Sequence, residues 1–367
     1  MYKTYSPKPL FLERMKNLLG KDFDSYMEIL KEETVKSLRC NTLKISPVEL
    51  KERLEEKGWK TKQLSDKYPE IMIVEGKYVR SFQSLTDKKP VNIKNNEDYS
   101  LNSSQVKNMT KSVLNQQSAS KSEQVIDLPP GEIGRALEHV LGYYYVQEIA
   151  SMLPVLVLNP KPNEKVLDLC AAPGSKTTQI ASGMQNSGLI IANEVKFNRL
   201  KILSGNLERC GVMNSAVTKK DGVALCKRFE KENFLFDKIL LDVPCSGEGT
   251  IRSTQKTLEM WNIKTTENLS KLQKALIAGA LTILKPNGVL VYSTCTHAPE
   301  ENEEVIDFAL KNFNVKAEKI QLPLKTRQGI TSWQSKEYDK QVKNTCRIYP
   351  QDNNTEGFFI AKLRKRK

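Results

Sequence analysis

Apolar residues recur along this chain with two different spacings, and the change between them divides it. Residues 11 to 38 follow a helical spacing, with Phe11, Met15, Leu18 and Leu19, then Tyr26, Ile29 and Leu30, three or four apart among charged neighbours. Ser37 to Leu43 carries a short strand pattern. Ser46-Pro47-Val48-Glu49 predicts a helix start: Ser46 is a good N-cap, Pro47 suits the first turn and Glu49 completes a capping box. That helix should stop at Gly58, before a strand at Ile71 to Val74. The strand, helix, strand order predicts a small α+β module of a kind that often handles RNA.

Between about Ser84 and Gln124 the apolar anchors thin out, and runs such as Gln116-Gln117-Ser118-Ala119-Ser120 predict a polar linker or insertion. From Glu164 onward apolar strands alternate with amphipathic helices. The strands are Val166–Cys170, Leu189–Glu194, Asn214–Asp221, Phe236–Val243 and Val289–Cys295, with helices such as Arg199–Cys210 and Leu269–Leu284 between them. This order predicts an α/β fold with a doubly wound, mostly parallel sheet. Thr345–Tyr349 and Gly357–Lys362 are expected to close it as an antiparallel pair at the edge. The expected division is a module over 1–83, a linker over 84–125 and a catalytic domain over 126–367.

The composition, 39% hydrophobic and 27% charged over 367 residues, describes a soluble globular protein. No apolar stretch is long enough to span a bilayer, and Met1 to Pro7 lacks an apolar signal segment, so a cytoplasmic location is expected. A net charge of +14 points to polyanionic partners, nucleic acid ahead of an anionic membrane surface. The basic run Lys362-Leu363-Arg364-Lys365-Arg366-Lys367 is read as a solvated tail. Seven scattered cysteines (40, 170, 210, 226, 245, 295, 346) form no C-x-x-C pair, which argues for reduced thiols and against zinc. The only histidines, His139 and His297, sit in no ligand cluster, so no metal is expected, and the chain is read as a monomer.

Two thiols stand out. Pro244-Cys245 follows the apolar run Ile239–Val243, and Thr294-Cys295 follows Gly288–Ser293, so each thiol sits where a buried strand gives way to a loop. Ligands of open α/β sheets bind at the carboxyl ends of the strands, so both thiols face one cavity if those strands are neighbours. The loop Asp168-Leu169-Cys170-Ala171-Ala172-Pro173-Gly174-Ser175-Lys176-Thr177 joins the first strand to a helix, and its small residues admit a ligand to the backbone. It matches neither the dinucleotide nor the phosphate-loop glycine pattern. Glu194 ends the second strand, 26 residues beyond Asp168, where an acid can take both hydroxyls of a ribose. Asp221 and Asp242 end the third and fourth. Four acids at one sheet edge suit a cationic nucleoside such as S-adenosylmethionine better than a polyphosphate.

These motifs resemble those of NSUN/Sun-type RNA cytosine-5 methyltransferases, closest to the archaeal type that modifies tRNA. The matching segments are Asp168–Thr177, Asp242–Gly249 and Ser293–Glu303, flanked by Leu38–Thr42, Gly142–Pro154, Arg347–Pro350 and Gly357–Ala361. The resemblance implies a class I methyltransferase fold, S-adenosylmethionine as cofactor and RNA as partner, tRNA in particular. It implies that Cys295 is the nucleophile, that Cys245 assists product release and that Asp242 contacts the target base. Cofactor binding is implied for Cys170, Ala171, Ala172, Pro173, Gly174, Ser175 and Lys176, with Glu194, Arg199, Asp221 and Asp242. Two positions depart from the family pattern: Glu194 stands where aspartate is commoner, and Gln351 where a histidine is usual. Covalent addition of a thiolate to cytosine C6 activates the otherwise weak C5 nucleophile, which explains the need for a cysteine. The target base must leave its stack to meet thiol and cofactor. The alternatives are an rRNA cytosine-5 methyltransferase, a DNA cytosine-5 methyltransferase with its nucleophile in the Pro-Cys dipeptide, and a non-catalytic RNA-binding assembly factor.

Overall fold

The computed structural model describes residues 6–79 and 124–367, so the expected linker, apart from its last two residues, lies outside the described residues. Two sheets organise them. The first contains β1 (Ser37–Cys40), β2 (Trp59–Gln63), β3 (Ile71–Val79), β4 (Gln124–Ile126) and β5 (Tyr144–Val146), with spatial order β2-β3-β1-β5 and β4 on the far end of β3. Every pairing in it is antiparallel. The expected α+β character holds, but β3 inserts between β1 and β2, so no parallel crossover forms. The chain also returns after residue 124 to complete this sheet. Residues 126–146 therefore stand with the first sheet, not with the catalytic domain in which the boundary at 126 placed them.

The second sheet contains β6 (Lys165–Asp168), β7 (Leu189–Asn193), β8 (Ser215–Thr218), β9 (Phe236–Asp242), β10 (Leu284–Thr294), β11 (Val315–Glu318), β12 (Arg327–Gln328), β15 (Cys346–Ile348) and β16 (Phe358–Lys365). Between these last come β13 (Ser332–Trp333) and β14 (Lys336–Glu337), a small separate hairpin. The order is β12-β15-β16-β10-β9-β6-β7-β8, with β11 also on β16; β8 through β10 run parallel, as the alternation predicts. β16 is not at the edge: it pairs antiparallel with β10 on one side and with β15 and β11 on the other.

The basic terminus is likewise no free tail. Arg364 forks onto Glu318 at 2.5 and 3.0 Å, and the Lys365 ammonium donates to the carbonyls of Leu281, Thr282 and Leu284, where a helix ends and its dipole is negative.

The helices are α1 (Pro9–Leu19), α2 (Phe23–Ile29), α3 (Pro47–Glu56), α4 (Ile149–Leu158), α5 (Ser175–Gly183), α6 (Phe197–Cys210), α7 (Gly222–Lys231), α8 (Ile263–Thr282) and α9 (Glu303–Asn312), with shorter turns between. The N-terminal helical pattern thus stops at Ile29. Ser46 caps α3 by accepting from the Glu49 N–H at 3.2 Å, as its sequence predicts. α7, α8 and α9 pack on one face of the second sheet through Leu225, Leu276 and Ile306; α4 and α5 cover the other through Leu153, Val155 and Ile180. α1 and α2 bury Phe11, Met15 and Tyr26 against Ile251, Trp261 and Tyr349, residues that flank the catalytic loops. Asn41 joins module to core by donating to the Gly142 and Cys210 carbonyls, both at 2.8 Å.

Arg347, on β15, is buried and forks onto buried Glu303 at 2.5 and 2.6 Å, while also donating to the His297 carbonyl and the Tyr349 hydroxyl. Arg347→Ala would strand the Glu303 carboxylate without its counter-charge and lower the unfolding free energy by about 3–5 kcal/mol. Urea denaturation measures this; a loss below about 1 kcal/mol would mean the pair is not a keystone of the sheet's edge.

Candidate active site

β6 leads outward through β7 and β8, whereas β9 leads the other way to β10, so strand order reverses between β6 and β9. A ligand crevice is expected at their carboxyl ends. Asp168 closes β6 and Asp242 closes β9. Two adjoining chambers of about 450 and 280 Å³ open there and share Gln147, Glu148, Ser151, Lys176 and Asp242. The larger is completed by Cys295, Phe358 and Glu356; the smaller by Asp168, Cys170 and the Ala171–Pro173 backbone.

The partition between the chambers is an ion pair. Lys176 Nζ lies 2.8 Å from Asp242 Oδ2 and donates to Ser151 Oγ at 2.9 Å; Ser293 Oγ donates to Asp242 Oδ1 at 2.7 Å. Asp242 is therefore oriented from two sides by fixed donors. Asp168 is fully buried, and burial pushes its carboxyl up to about 7 against the opposing pull of the Thr177 hydroxyl, which donates to it at 2.7 Å. Burial, with the two aspartates nearby, likewise raises the Cys170 thiol.

The four acids do not act alike. Glu194 is buried, accepts from the Lys196 N–H at 2.8 Å and pairs with Arg199 at 3.2 Å, while Arg199 also donates to the Ala172 carbonyl at 2.5 Å. Asp221 is exposed, does not line either chamber and caps α7 by accepting from the Ala224 N–H at 2.9 Å. The four acids thus sit in different surroundings: burial raises Asp168, Glu194 and Asp242 each carry a paired cation, and Asp221 caps a helix. Gly174, at φ +104°, turns the chain into α5; a Cβ there would meet Leu203 at 3.0 Å.

β9 and β10 are parallel neighbours, and the two thiols meet, Sγ to Sγ 3.1 Å, both free. Cys295 lines the larger chamber and Cys245 stands behind it, accepting from the Cys295 N–H at 3.3 Å. The hydrogen bond with Cys295, then burial, raise the Cys245 thiol well above its ordinary value, which favours its protonated form as a donor to its neighbour.

Sequence reasoning missed several residues. Glu301 is buried behind the thiols, accepts from the Ser246 N–H at 3.1 Å and from Gln273 at 2.8 Å, and has one oxygen without a partner among the described residues. Glu148 caps α4 at the Ser151 N–H and accepts from the Glu356 N–H, tying two chamber walls together. Lys36 and Ser37 reach the larger chamber from the first sheet. Glu148 and Phe358 lie in segments that the resemblance matched without assigning roles. Gln351, at the unusual position, leaves both amide atoms buried and unpartnered among the described residues.

Burial pushes the Glu301 carboxyl from 4.5 up to about 7. The folded chain then holds this proton more tightly than the unfolded chain, so the stability it contributes is present below pH 4.5 and is lost as pH rises through about 7. Unfolding free energy should fall from pH 5 to pH 8 by about 1–3 kcal/mol more in the wild type than in Glu301→Gln. Parallel denaturation curves across that range would show that Glu301 titrates normally.

A family model described as 16S rRNA methyltransferase RsmB/F matches residues 155–364, and another, for the N-terminal domain of 16S rRNA methyltransferase RsmF, matches residues 8–69. A tRNA (cytosine(49)-C(5))-methyltransferase of Pyrococcus abyssi is 51% identical over 63% of this chain and 73% of that protein. Ribosomal RNA small subunit methyltransferase F of Vibrio campbellii is 33% identical over 99% of this chain, which spans 64% of that longer protein. The solved structure of NSun6 from Pyrococcus horikoshii with SFG superposes with a TM-score of 0.72 at 29% identity, covering 98% of each chain. With the first family model matching over more than half its length, and with relatives named for cytosine-C5 methylation, the chain belongs to the RsmB/F family of RNA cytosine-5 methyltransferases.

Proposed function

We propose that this chain uses S-adenosylmethionine to form 5-methylcytosine in tRNA, through a covalent adduct between Cys295 and C6 of the target base. The observation that carries the reading is the single chamber in which Cys295, Asp242 and Lys176 converge, with Cys245 behind the nucleophile at 3.1 Å. Over a similar share of the chain, an identity of 51% to a tRNA enzyme against 40% to rRNA enzymes supports tRNA. The RsmF-type N-terminal match keeps rRNA as the second reading.

The smaller chamber suits the cofactor, whose chemistry is an electrophilic methyl group on a sulfonium. The loop Cys170 to Lys176 supplies a small-residue wall that admits it to the backbone; Glu194, which does not line this chamber but is seated by Arg199 behind the Ala172 carbonyl, is the ribose acid. Asp221, which lines neither chamber and caps α7, takes no part in this site. In the larger chamber the Cys295 thiolate adds to C6, and the electron pair displaced toward C5 makes that carbon the nucleophile that takes the methyl group. Asp242, oriented by Ser293 and Lys176, contacts the base edge and offsets the charge that develops on the ring. Transfer of the C5 proton to solvent lets the C5–H electron pair re-form the C5=C6 bond, which breaks the C6–S bond and expels the Cys295 sulfur as a thiolate. Cys245, held protonated, donates to that departing thiolate.

Bisulfite sequencing of tRNA and rRNA treated with the protein and cofactor tests the substrate; conversion-resistant cytidines in rRNA alone would replace the first reading by the second. Cys295→Ala should abolish methyl transfer yet retain cofactor affinity within about twofold, while Cys245→Ala should stall as an RNA adduct that survives SDS and is lost on nuclease treatment. The adduct requires cofactor and disappears in the double variant; normal turnover by Cys245→Ala would refute the two-thiol mechanism. Glu194→Ala should weaken S-adenosylmethionine binding by about 1.5–3 kcal/mol, the scale for losing charge-assisted hydrogen bonds, and unchanged affinity in calorimetry would remove it from the cofactor site.

A further inference from the structure

A third cavity, of about 680 Å³, opens between the first sheet and the far ends of α4 and α5. Its walls carry Arg39, Lys67, Lys161, Lys319 and Lys362 against a single carboxylate, Glu70. Lys362 is partnered by Glu318 at 3.3 Å, but the ammonium groups of Lys67, Lys161 and Lys319 have no carboxylate partner among the described residues, and all three are exposed at the rim. Tyr68 presents an aromatic ring beside them, 5.3 Å beneath the Lys67 ammonium.

The floor of this cleft is chemically unusual. Arg39 is 2% exposed, yet its guanidinium bonds only neutral groups: the Gln147 and Gln179 side chains, the Ser175 carbonyl and the Thr178 hydroxyl. Its Nε has no partner among the described residues. No carboxylate contacts this buried cation directly, and Glu70, the one acid of the cleft, offsets its charge only at a distance, so the cleft keeps an excess of positive charge for an external anion to offset. Gln147 and Ser175 also line the catalytic chambers, so one side chain forms the partition between cleft and active site. α4 measures the separation: Ser151, in its first turn, lines the catalytic chambers, and Val155, Leu156, Val157 and Asn159 line the cleft, four to eight residues further on, or about 6–12 Å at helical rise.

We propose that this cleft seats the sugar-phosphate backbone of the substrate RNA next to the nucleotide being methylated, with Lys67, Lys161 and Lys319 on phosphates and Tyr68 against a base or ribose. The volume is that of a nucleotide-sized site, and the excess of cations matches a polyanion. A strand lying here continues past Arg39 toward the Cys295 chamber, so the cleft sets the direction from which the target base enters. This inference rests on RNA being the substrate.

The test compares the triple variant Lys67→Ala/Lys161→Ala/Lys319→Ala with a control, Lys227→Ala/Lys231→Ala/Lys271→Ala, whose lysines lie on α7 and α8 across the sheet. Fluorescence anisotropy with a labelled tRNA is read from low to moderate salt. The cleft variant should bind about tenfold more weakly at about 0.1 M salt, and its log–log salt slope should be shallower by about 2, three contacts at about 0.7 each. S-adenosylmethionine affinity and melting temperature, both unchanged, show that it is folded. Equal losses in cleft and control variants would reduce the effect to overall charge, and wild-type affinity in the cleft variant would remove the RNA from this cleft; either overturns the proposal. Failure of the wild type to methylate any RNA would instead sink the functional reading, so the two failures are separable.

Discussion

The parallel register of β9 and β10 is the constraint on which the active site depends. Ser293 lies opposite Asp242, and its hydroxyl donates to that carboxylate, so the strands end level with each other. The segments that follow, Val243 to Cys245 and Thr294 to Cys295, then leave the sheet side by side, which brings two thiols 50 positions apart in sequence to 3.1 Å. A one-residue slip would turn alternate side chains to opposite faces and separate them. Gly249 locks the arrangement: its N–H donates to the Cys295 carbonyl and its own carbonyl accepts from the Gly357 N–H. A Cβ at Gly249 would lie 2.3 Å from the Gly357 oxygen, so no larger residue fits.

Burial then assigns different chemistry to similar side chains around this edge. Asp242 keeps a cation, Lys176, at 2.8 Å; Asp168, only a strand away, has a hydroxyl partner and is pushed up to about 7 by desolvation. Glu301, behind the thiols, is pushed up similarly. Similar carboxyls around the same cysteines thus sit in different surroundings, one held by a cation and two raised by burial. Arg39 is the converse case, a cation buried among neutral partners at the seam between module and core.

Module and core are not independent bodies joined by a tether. β5 follows the catalytic chain's approach to α4 yet pairs with β1, and Lys36, Ser37 and Val146 of the first sheet help to line the larger chamber. From the other side, α1 and α2 bury their apolar faces on Trp261 and Tyr349, and Arg14 pairs with Glu300 at 2.8 Å, next to the buried Glu301. Whatever the module contacts is therefore mechanically continuous with the walls around Cys295.

The sequence by itself determined the local features. Alternating apolar runs located the parallel strands to within a few residues, Ser46 and Pro47 predicted a capped helix, and the dipeptides Pro244-Cys245 and Thr294-Cys295 marked two thiols at strand ends. These signals are short-range, because side-chain periodicity and capping depend on neighbours within a turn or two. Tertiary structure alone decided that Cys245 stands behind Cys295 and that the basic terminus is an interior strand. It also decided the membership of Gln124–Ile126 and Tyr144–Val146 in the first sheet, where Val125 pairs with Tyr78 and Tyr145 with Arg39. Each of these rests on partners tens to hundreds of positions apart, brought together by burial and pairing that no window of the chain contains.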